Sequence, residues 1–129
     1  MKTIFLIDDD SDDREIFQEA LETFDKKYNY EEAENGEDAL KKMEDGLIKM
    51  PDIIFLDLNM PRIDGRQFLK IIKQIDRFKN IPIYIYSTSS NDVEKKMAQD
   101  NGAAGFMTKH YTMAQLCKEL KEVLEIYLK

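Results

Sequence analysis

Residues 53–65 have the sequence IIFLDLNMPRIDG, and this stretch decides the fold. Its four leading apolar residues are typical of a short strand that is buried on both faces of a parallel sheet. The strand ends at Asp57, and a loop that contains Pro61 leads to Gly65. Beyond this glycine, apolar residues recur at helical spacing, at Phe68, Leu69, Ile72 and Ile75. The stretch therefore predicts a buried strand, a loop that begins with a carboxylate, and an amphipathic helix.

The same unit of strand, loop and helix recurs along the whole chain. Apolar runs predict strands at residues 4–7, 28–33, 53–56, 81–86 and 104–108. Helical spacing is also found at Ile16, Phe17, Ala20, Leu21 and Phe24, at Ala39, Leu40, Met43 and Leu47, at Val93, Met97 and Ala98, and at Leu116, Leu120, Val123, Leu124 and Tyr127. This alternation predicts an α/β fold, a doubly wound five-stranded parallel sheet flanked by five helices.

Polar side chains mark where the helices begin. Ser11 or Asp10 can cap the first helix, and Asn91 can cap the fourth. Asp64 and Gly65 are expected to start the third helix. The last helix is preceded by Thr112, which has a glutamine three residues later, and this spacing is typical of a capping box.

Composition excludes several classes of protein. A chain of 129 residues, 43% hydrophobic and 35% charged, has the size and composition of one globular domain. No apolar run approaches the ~20 residues of a membrane span, and the first residues do not resemble a secretory signal. Cys117 is the only cysteine, so an internal disulfide or a cysteine zinc site is excluded. His110 is the only histidine, and a Ser-His-Asp triad would depend on it.

The net charge of −7 is distributed unevenly. Residues 1–65 contain 8 Lys and Arg against 19 Asp and Glu, a net charge of −11. Residues 66–129 contain 11 against 7, a net charge of +4. A net-acidic chain argues against direct binding of nucleic acid, which requires a basic surface. The acidic half can instead attract a cation.

Polar residues collect where the predicted strands end, and ligands bind at that edge of an open parallel sheet. They are Asp8, Asp9 and Asp10 after the first strand, Asp57 after the third, Ser87 and Thr88 after the fourth, and Lys109 after the fifth. Clustered carboxylates repel one another unless a cation is bound, and oxygen ligands suit Mg²⁺ or Mn²⁺. A lysine and a hydroxyl at the same place suit a phosphoryl group. A carboxylate, a metal ion, a lysine and a hydroxyl together predict metal-assisted phosphoryl transfer to an aspartate nucleophile. No Gly-rich phosphate loop occurs, so a nucleotide-binding site is not supported.

Four motifs, each at a predicted strand end, together resemble the receiver domain of two-component response regulators. They are LIDDD at residues 6–10, LDLNMPRIDG at 56–65, Ser87-Thr88, and GFMTK at 105–109. The resemblance covers essentially the whole chain and is greatest to stand-alone receivers, including chemotaxis and phytochrome-associated regulators. It implies a flavodoxin-like fold with strand order 2-1-3-4-5.

The resemblance also implies roles for single residues. Asp57 matches the aspartate that accepts a phosphoryl group from a kinase phosphohistidine. The implied Mg²⁺ ligands, which could also hold Mn²⁺, are Asp9, Asp57, the backbone carbonyl of Asn59 and, through water, Asp8. The phosphoryl oxygens would be bound by Lys109, the backbone of Thr88, and Asn59. The hydroxyl of Ser87 would turn toward the phosphoryl group, and the Phe106 ring would follow it and change the surface of the fourth helix, fifth strand and fifth helix.

Two positions depart from the family pattern. His110 follows Lys109 where the family usually has proline, and a cis peptide bond costs ~2.5–4 kcal/mol at such a position. We therefore expect either a trans bond with a rearranged loop or a strained cis bond. Phe106 stands where the family often has tyrosine, so a switch at this position would depend on packing alone.

The sequence thus predicts one receiver domain over residues 1–129, without an output domain and with a cytoplasmic location. Its partners would be a sensor histidine kinase or a phosphotransfer protein, and a separate downstream effector. It would be a phosphoacceptor that assists its own phosphorylation and dephosphorylation, not a turnover enzyme. Two alternatives remain: a pseudo-receiver that docks without phosphorylation, and an Asp-nucleophile phosphohydrolase. The second would need an acidic residue where Asn59 stands.

Overall fold

Strands and helices alternate along the chain, in the computed structural model that describes residues 1–88, 91–109 and 112–128. The elements are β1 (Thr3–Ile7), α1 (Ser11–Glu22), β2 (Asn29–Ala33), α2 (Gly36–Glu44), β3 (Ile53–Leu56), α3 (Gly65–Lys73), β4 (Ile83–Ser87), α4 (Asp92–Asp100), β5 (Gly105–Thr108) and α5 (Met113–Tyr127). The strands form a parallel sheet in the order β2-β1-β3-β4-β5. The predicted doubly wound fold and its strand order are confirmed.

Strand register places the carboxyl ends of β1 and β3 side by side. Ile7, the last residue of β1, lies opposite Leu56, the last residue of β3. In another pair of neighbouring strands of the same sheet, Ser87 at the end of β4 lies opposite Thr108 at the end of β5. The residue that follows each strand therefore lies at the same edge of the sheet.

Two hydrophobic cores cover the two faces of the sheet, because successive side chains of a strand point to opposite faces. On one face, α1 and α5 pack on strand residues that include Ile4, Leu6, Phe55 and Tyr86. On the other face, α2, α3 and α4 pack on strand residues that include Phe5, Ile7, Ile54, Leu56 and Ile85. The three strands β1, β3 and β4 are thus buried on both sides, as their continuous apolar sequences predict.

Side chains cap the helices largely as predicted. Asp10, rather than Ser11, accepts hydrogen bonds from two backbone N–H groups of α1. Asn91 caps α4 in the same way. The capping box predicted at Thr112 is incomplete. The Thr112 hydroxyl accepts a hydrogen bond from the Gln115 N–H at 3.2 Å, as in a capping box. The Gln115 side chain, however, accepts from that hydroxyl at 2.9 Å and not from the Thr112 backbone N–H. The complete capping box starts α3 instead, where Asp64 and Gln67 each bind the other's backbone N–H at 3.0 Å.

Apolar spacing overestimated the length of three helices. Phe24, Leu47 and Ile75 lie beyond the ends of α1, α2 and α3. Gly46, with φ of 66°, turns the chain after α2 and leaves Leu47 63% exposed. Two residues inside helices also face solvent, since Ile16 is 41% and Val93 is 79% exposed. Their side chains do not contribute to either core.

The fourth strand also begins later than predicted. Pro82 has no N–H to donate to the ladder, so regular pairing starts at Ile83. The Pro82 carbonyl still accepts a hydrogen bond from the Ile54 N–H at 2.9 Å. Pro82 therefore precedes the regular strand and remains attached to the sheet.

The start of α3 lies against the backbone that follows β3. A Cβ atom on Gly65 would lie 2.3 Å from the carbonyl oxygen of Asp57 and 2.7 Å from the Cα of Leu58. The Gly65 N–H donates to the Leu58 carbonyl at 3.1 Å, which fixes this approach. Between them, Arg62 has φ of 62°, in the left-handed region that side chains disfavour. The loop after Asp57 is therefore held by backbone geometry.

Within residues 1–88, 91–109 and 112–128, no helix has both the length and the apolar character that a membrane crossing requires.

Candidate functional site

Two strand ends hold a pair of buried carboxylates next to each other. Asp8 follows β1 and is fully buried, and its Oδ1 accepts a hydrogen bond from the Asp10 N–H at 3.0 Å. Asp57 follows β3 and is 6% exposed. Its N–H donates to the Ile7 carbonyl at 2.9 Å, and its Oδ1 accepts from the Asn59 N–H at 3.2 Å. The sheet therefore fixes both backbones, and local turns orient both side chains.

A third carboxylate completes the acidic cluster, which we define as Asp8, Asp9 and Asp57. One carboxylate oxygen from each residue lies within 4.8 Å of the others. Asp9 is exposed, so the cluster is open to solvent on one side. Three converging oxygen donors are the kind of group that Mg²⁺ or Mn²⁺ binds.

Lys109 brings a positive charge to this cluster from the end of β5. Its backbone N–H donates to the Ser87 carbonyl at 2.8 Å, which continues the pairing of β4 with β5. Its Nζ lies 2.8 Å from Oδ2 of Asp8, 2.8 Å from Oδ2 of Asp13 and 3.6 Å from Oδ2 of Asp57. The ammonium also lies 5.4 Å from the centre of the Tyr86 ring, so it is surrounded by groups that attract a cation.

The site perturbs its own charges. Burial raises the pKa of Asp57 to about 7, and repulsion by Asp8 and Asp9 adds to this effect, whereas Lys109 and the Asn59 N–H oppose it. Burial likewise raises the pKa of Asp8. Burial alone would lower the pKa of Lys109, but its contacts with Asp13 and Asp8 outweigh that and raise it. A single ammonium thus only partly compensates for the negative charge around it.

One atom of the cluster favours a bound cation. Oδ2 of Asp8 is buried, and no described group donates a hydrogen bond of good geometry to it. The Lys109 ammonium is at 2.8 Å but lies outside hydrogen-bond geometry, so the contact is an ion pair. A buried carboxylate whose charge is only partly compensated is costly, and burial raises the pKa of Asp8 in spite of this ion pair. Together with the all-oxygen donor set, it shows that these residues fit a hard divalent cation.

The remaining predicted residues lie around the cluster. Ser87 is fully buried at the end of β4, and Thr88 is exposed immediately after it. Asn59 is exposed, and it contacts the site through its N–H bond to Asp57. Phe106 is half-buried against the core beneath α2, α3 and α4, with the Lys95 ammonium 5.7 Å from its ring centre. The peptide bond between Lys109 and His110 lies outside the described residues.

Two residues at the site were missed by sequence reasoning. Asp13, in the first turn of α1, accepts a hydrogen bond from the Lys109 ammonium. Arg14 donates to the Asp8 backbone carbonyl through Nη1 and forms an ion pair at 3.0 Å with Glu32 of β2 through Nε. The signal for Asp13 in the sequence is the acidic pair at residues 12 and 13, but negative charge there also suits the positive N-terminal end of a helix.

Comparison with known proteins agrees with this geometry. The family model for the response regulator receiver domain matches residues 4–121. The phosphorylated cyanobacterial phytochrome response regulator RcpA has 31% sequence identity and a TM-score of 0.90, with 99% of this chain and 94% of that chain covered. The Mn²⁺-bound form of the response regulator Rcp1 has 27% identity and a TM-score of 0.87, with 100% and 96% covered.

Curated relatives include much longer proteins. The sensor histidine kinase CheAY of Helicobacter pylori is 28% identical over 95% of this chain, which spans 15% of the kinase. Across the first relatives, this chain spans 15% to 59% of their lengths. The family match over most of the chain, the shared fold and the converging carboxylates lead to one conclusion. This chain belongs to the response regulator receiver domain family, a phosphoacceptor signalling family whose phosphorylation site the acidic cluster fits.

Proposed function

We propose that Asp57 accepts a phosphoryl group from a phosphohistidine and that residues 1–129 act as one receiver domain. The observation that carries this proposal is the convergence of Asp8, Asp9 and Asp57 on one point beside the Lys109 ammonium. In the transfer, a carboxylate oxygen of Asp57 forms a bond to phosphorus while the bond between histidine nitrogen and phosphorus breaks. The electron pair of that bond stays on the histidine nitrogen.

The acidic cluster would hold Mg²⁺, with Mn²⁺ as a substitute. Asp9, Asp57 and the backbone carbonyl of Asn59 would bind it directly, and Asp8 would bind it through water. When bound, the ion supplies positive charge that shields Asp57 from its neighbours and neutralises phosphoryl oxygens. The buried Oδ2 of Asp8, whose close polar contact among the described residues is the Lys109 ammonium, and the raised pKa of Asp57 both support a cation at this position.

Lys109 would pair with the phosphoryl oxygens. Its Nζ is already 3.6 Å from Asp57, and a phosphoryl group on that residue would bring acceptor oxygens closer to it. The ammonium would thus stabilise charge both during the transfer and in the acyl phosphate. The backbone N–H of Thr88 and the Asn59 residue would provide further contacts to the phosphoryl group.

Ser87 and Phe106 would connect phosphorylation to the protein surface. Ser87 and Lys109 are joined by a backbone hydrogen bond, and Phe106 lies in the same strand as the residue opposite Ser87. The Ser87 hydroxyl would turn toward the phosphoryl group, and the Phe106 ring would then occupy the space beside it. The surface formed by α4, β5 and α5 would change between two states as a result.

The proposal implies two kinds of protein partner. A sensor histidine kinase or a phosphotransfer protein would donate the phosphoryl group. A separate effector would bind the α4, β5 and α5 surface, or the phosphoryl group would pass on in a relay. A cytoplasmic location is part of the same proposal, because kinases of this class use ATP.

Intact-mass spectrometry after incubation with acetyl phosphate tests the proposal. We expect the protein to gain one phosphoryl group in the presence of Mg²⁺ and much less in the presence of EDTA. Asp57→Asn should gain none, whereas the control Asp45→Asn, which changes an exposed carboxylate after α2, should behave like the wild type.

The opposite result would assign another role to the chain. A wild type that neither gains a phosphoryl group nor binds beryllofluoride with Mg²⁺ present would contradict the phosphoacceptor function. The chain would then act as a pseudo-receiver that docks without phosphorylation.

A further inference from the structure

The ammonium of Lys109 makes its closest contacts with residues other than the proposed acceptor. It lies 2.8 Å from both Asp13 and Asp8, but 3.6 Å from Asp57. Among these contacts, the one with Asp13 is a hydrogen bond. The Lys109 side chain is only 10% exposed, so water screens these ion pairs only weakly. Charge-assisted hydrogen bonds are among the strong ones, and this one joins residues that are 96 positions apart.

Helix formation alone does not account for Asp13. The backbone N–H groups at the start of α1 are already bonded by the Asp10 side chain, at 2.9 Å and 3.2 Å. Asp12 adds the same negative charge in the same turn, but no ion pair of its carboxylate occurs among the described residues. Asp13 differs from Asp12 because its side chain is directed to the site and binds Lys109.

We propose that Asp13 is a positioning residue that competes with the phosphoryl group on Asp57 for the Lys109 ammonium. The inference rests on the proposed function. To pair with a phosphoryl group, the ammonium must exchange its hydrogen bond to Asp13 for bonds to phosphoryl oxygens. The carboxylate of Asp13 therefore stabilises the unmodified form relative to the modified one. Removal of this carboxylate should strengthen the binding of a phosphoryl group.

The size of the effect follows from the exposure of the pair. The Asp13 side chain is 30% exposed and that of Lys109 is 10% exposed, so the pair lies between a surface ion pair and a buried one. Asp8 would retain part of the ammonium's interaction after Asp13 is removed. We expect affinity for a phosphoryl mimic to rise about threefold to tenfold.

Beryllofluoride binding to the full chain, measured by calorimetry with saturating Mg²⁺, is the test. Asp13→Asn should bind beryllofluoride more tightly by the expected factor. Asp12→Asn is the matched control, because it removes the same charge one residue away and should bind like the wild type. Asp13→Glu keeps a carboxylate on α1 and should bind close to the wild-type value.

A second set of variants separates competition for Lys109 from simple charge repulsion. In a Lys109→Ala background, the further change Asp13→Asn should have no effect on beryllofluoride affinity. A gain of the same size in that background would overturn the proposal, because Asp13 would then act directly on the anion. Melting temperatures of Asp12→Asn and Asp13→Asn should be similar, which keeps an effect on folding apart from an effect on binding.

The outcomes distinguish this inference from the proposed function. Equal affinities for the wild type and Asp13→Asn, or weaker binding by Asp13→Asn, would overturn the inference alone. Weaker binding would mean that Asp13 orients Lys109 toward the phosphoryl group instead of competing with it. No beryllofluoride binding by the wild type would overturn both.

Discussion

At the scale of single residues, the site concentrates more negative charge than its one ammonium compensates. The carboxylates of Asp8 and Asp57 are buried, and those of Asp9 and Asp13 lie at the solvent side. Burial and mutual repulsion raise the pKa of Asp57 to about 7. Ionised Asp57 therefore opposes folding when no cation is present, since its charged form is more stable in the unfolded chain.

Asp57→Asn should accordingly stabilise the metal-free protein at pH 8. The variant loses a contact of 3.6 Å with Lys109, but the ammonium keeps Asp8 and Asp13. We expect the free energy of unfolding to rise by about 1–2 kcal/mol. Urea unfolding in the presence of EDTA measures this free energy. When Mg²⁺ replaces EDTA, it should stabilise the wild type more than the variant. A variant less stable than the wild type in EDTA would show that the attraction between Asp57 and Lys109 outweighs the cost of burial and of repulsion by the other carboxylates.

At the scale of elements, the approach of α3 to the end of β3 holds the loop that follows Asp57, the proposed acceptor. Gly65 lies where a Cβ atom would be 2.3 Å from the Asp57 carbonyl oxygen. The capping box between Asp64 and Gln67 fixes the first turn of the helix at the same place. The position of the helix and the backbone of the proposed acceptor are thus determined by one contact.

Gly65→Ala should destabilise the fold because backbone atoms, not a flexible side chain, occupy the required space. We expect a loss of roughly 1–3 kcal/mol in the free energy of unfolding, together with weaker Mg²⁺ binding as the loop shifts. Urea unfolding and a Mg²⁺ titration followed by NMR measure the two effects. Gly46→Ala is the control: its φ of 66° makes alanine strained, but nothing lies within 4 Å of the new atom. That variant should lose stability and keep its Mg²⁺ affinity.

At the scale of the whole molecule, one sheet separates two cores. Aromatic residues pack together on the face of the sheet that α1 and α5 cover. The centre of the Phe17 ring lies 5.1 Å from the centre of the Phe55 ring and 5.5 Å from that of Tyr86. On the other side, Phe68 and Phe78 are fully buried with the residues of α2, α3 and α4. Because β1, β3 and β4 contribute side chains to both cores, neither core can separate from the sheet independently.

Phe17→Ala should therefore weaken both cores together. We expect a loss of about 3–5 kcal/mol, whereas the neighbouring change Ile16→Ala, at a 41% exposed side chain, should change stability by less than about 0.5 kcal/mol. Hydrogen exchange measures the extent of the effect. Amides of α3 should lose as much protection as amides of α5. Loss confined to α1 and α5 would show that the two sides unfold separately.

The sequence contained enough information for the fold and for most of the proposed site. Asp8 and Asp57 each follow a continuous apolar strand. Because parallel strands end at the same edge of the sheet, the sequence predicted that these two side chains lie together. Helix ends were less predictable, since the apolar spacing continues past the ends of α2 and α3, at Leu47 and Ile75. The pairing of Asp13 with Lys109 could not be predicted, because it depends on where the first turn of α1 lies relative to the end of β5.

The way in which the site is assembled has a consequence for protein synthesis. Asp57 follows β3, in the first half of the chain, whereas the Lys109 ammonium follows β5 and contacts Asp13, a residue 96 positions earlier. A nascent chain that has emerged only through α4 contains the three carboxylates of the acidic cluster but no Lys109. The assembled charge balance therefore exists only after β5 has joined the sheet. Partly synthesised chains consequently lack the arrangement of charges that the proposed phosphoryl transfer uses.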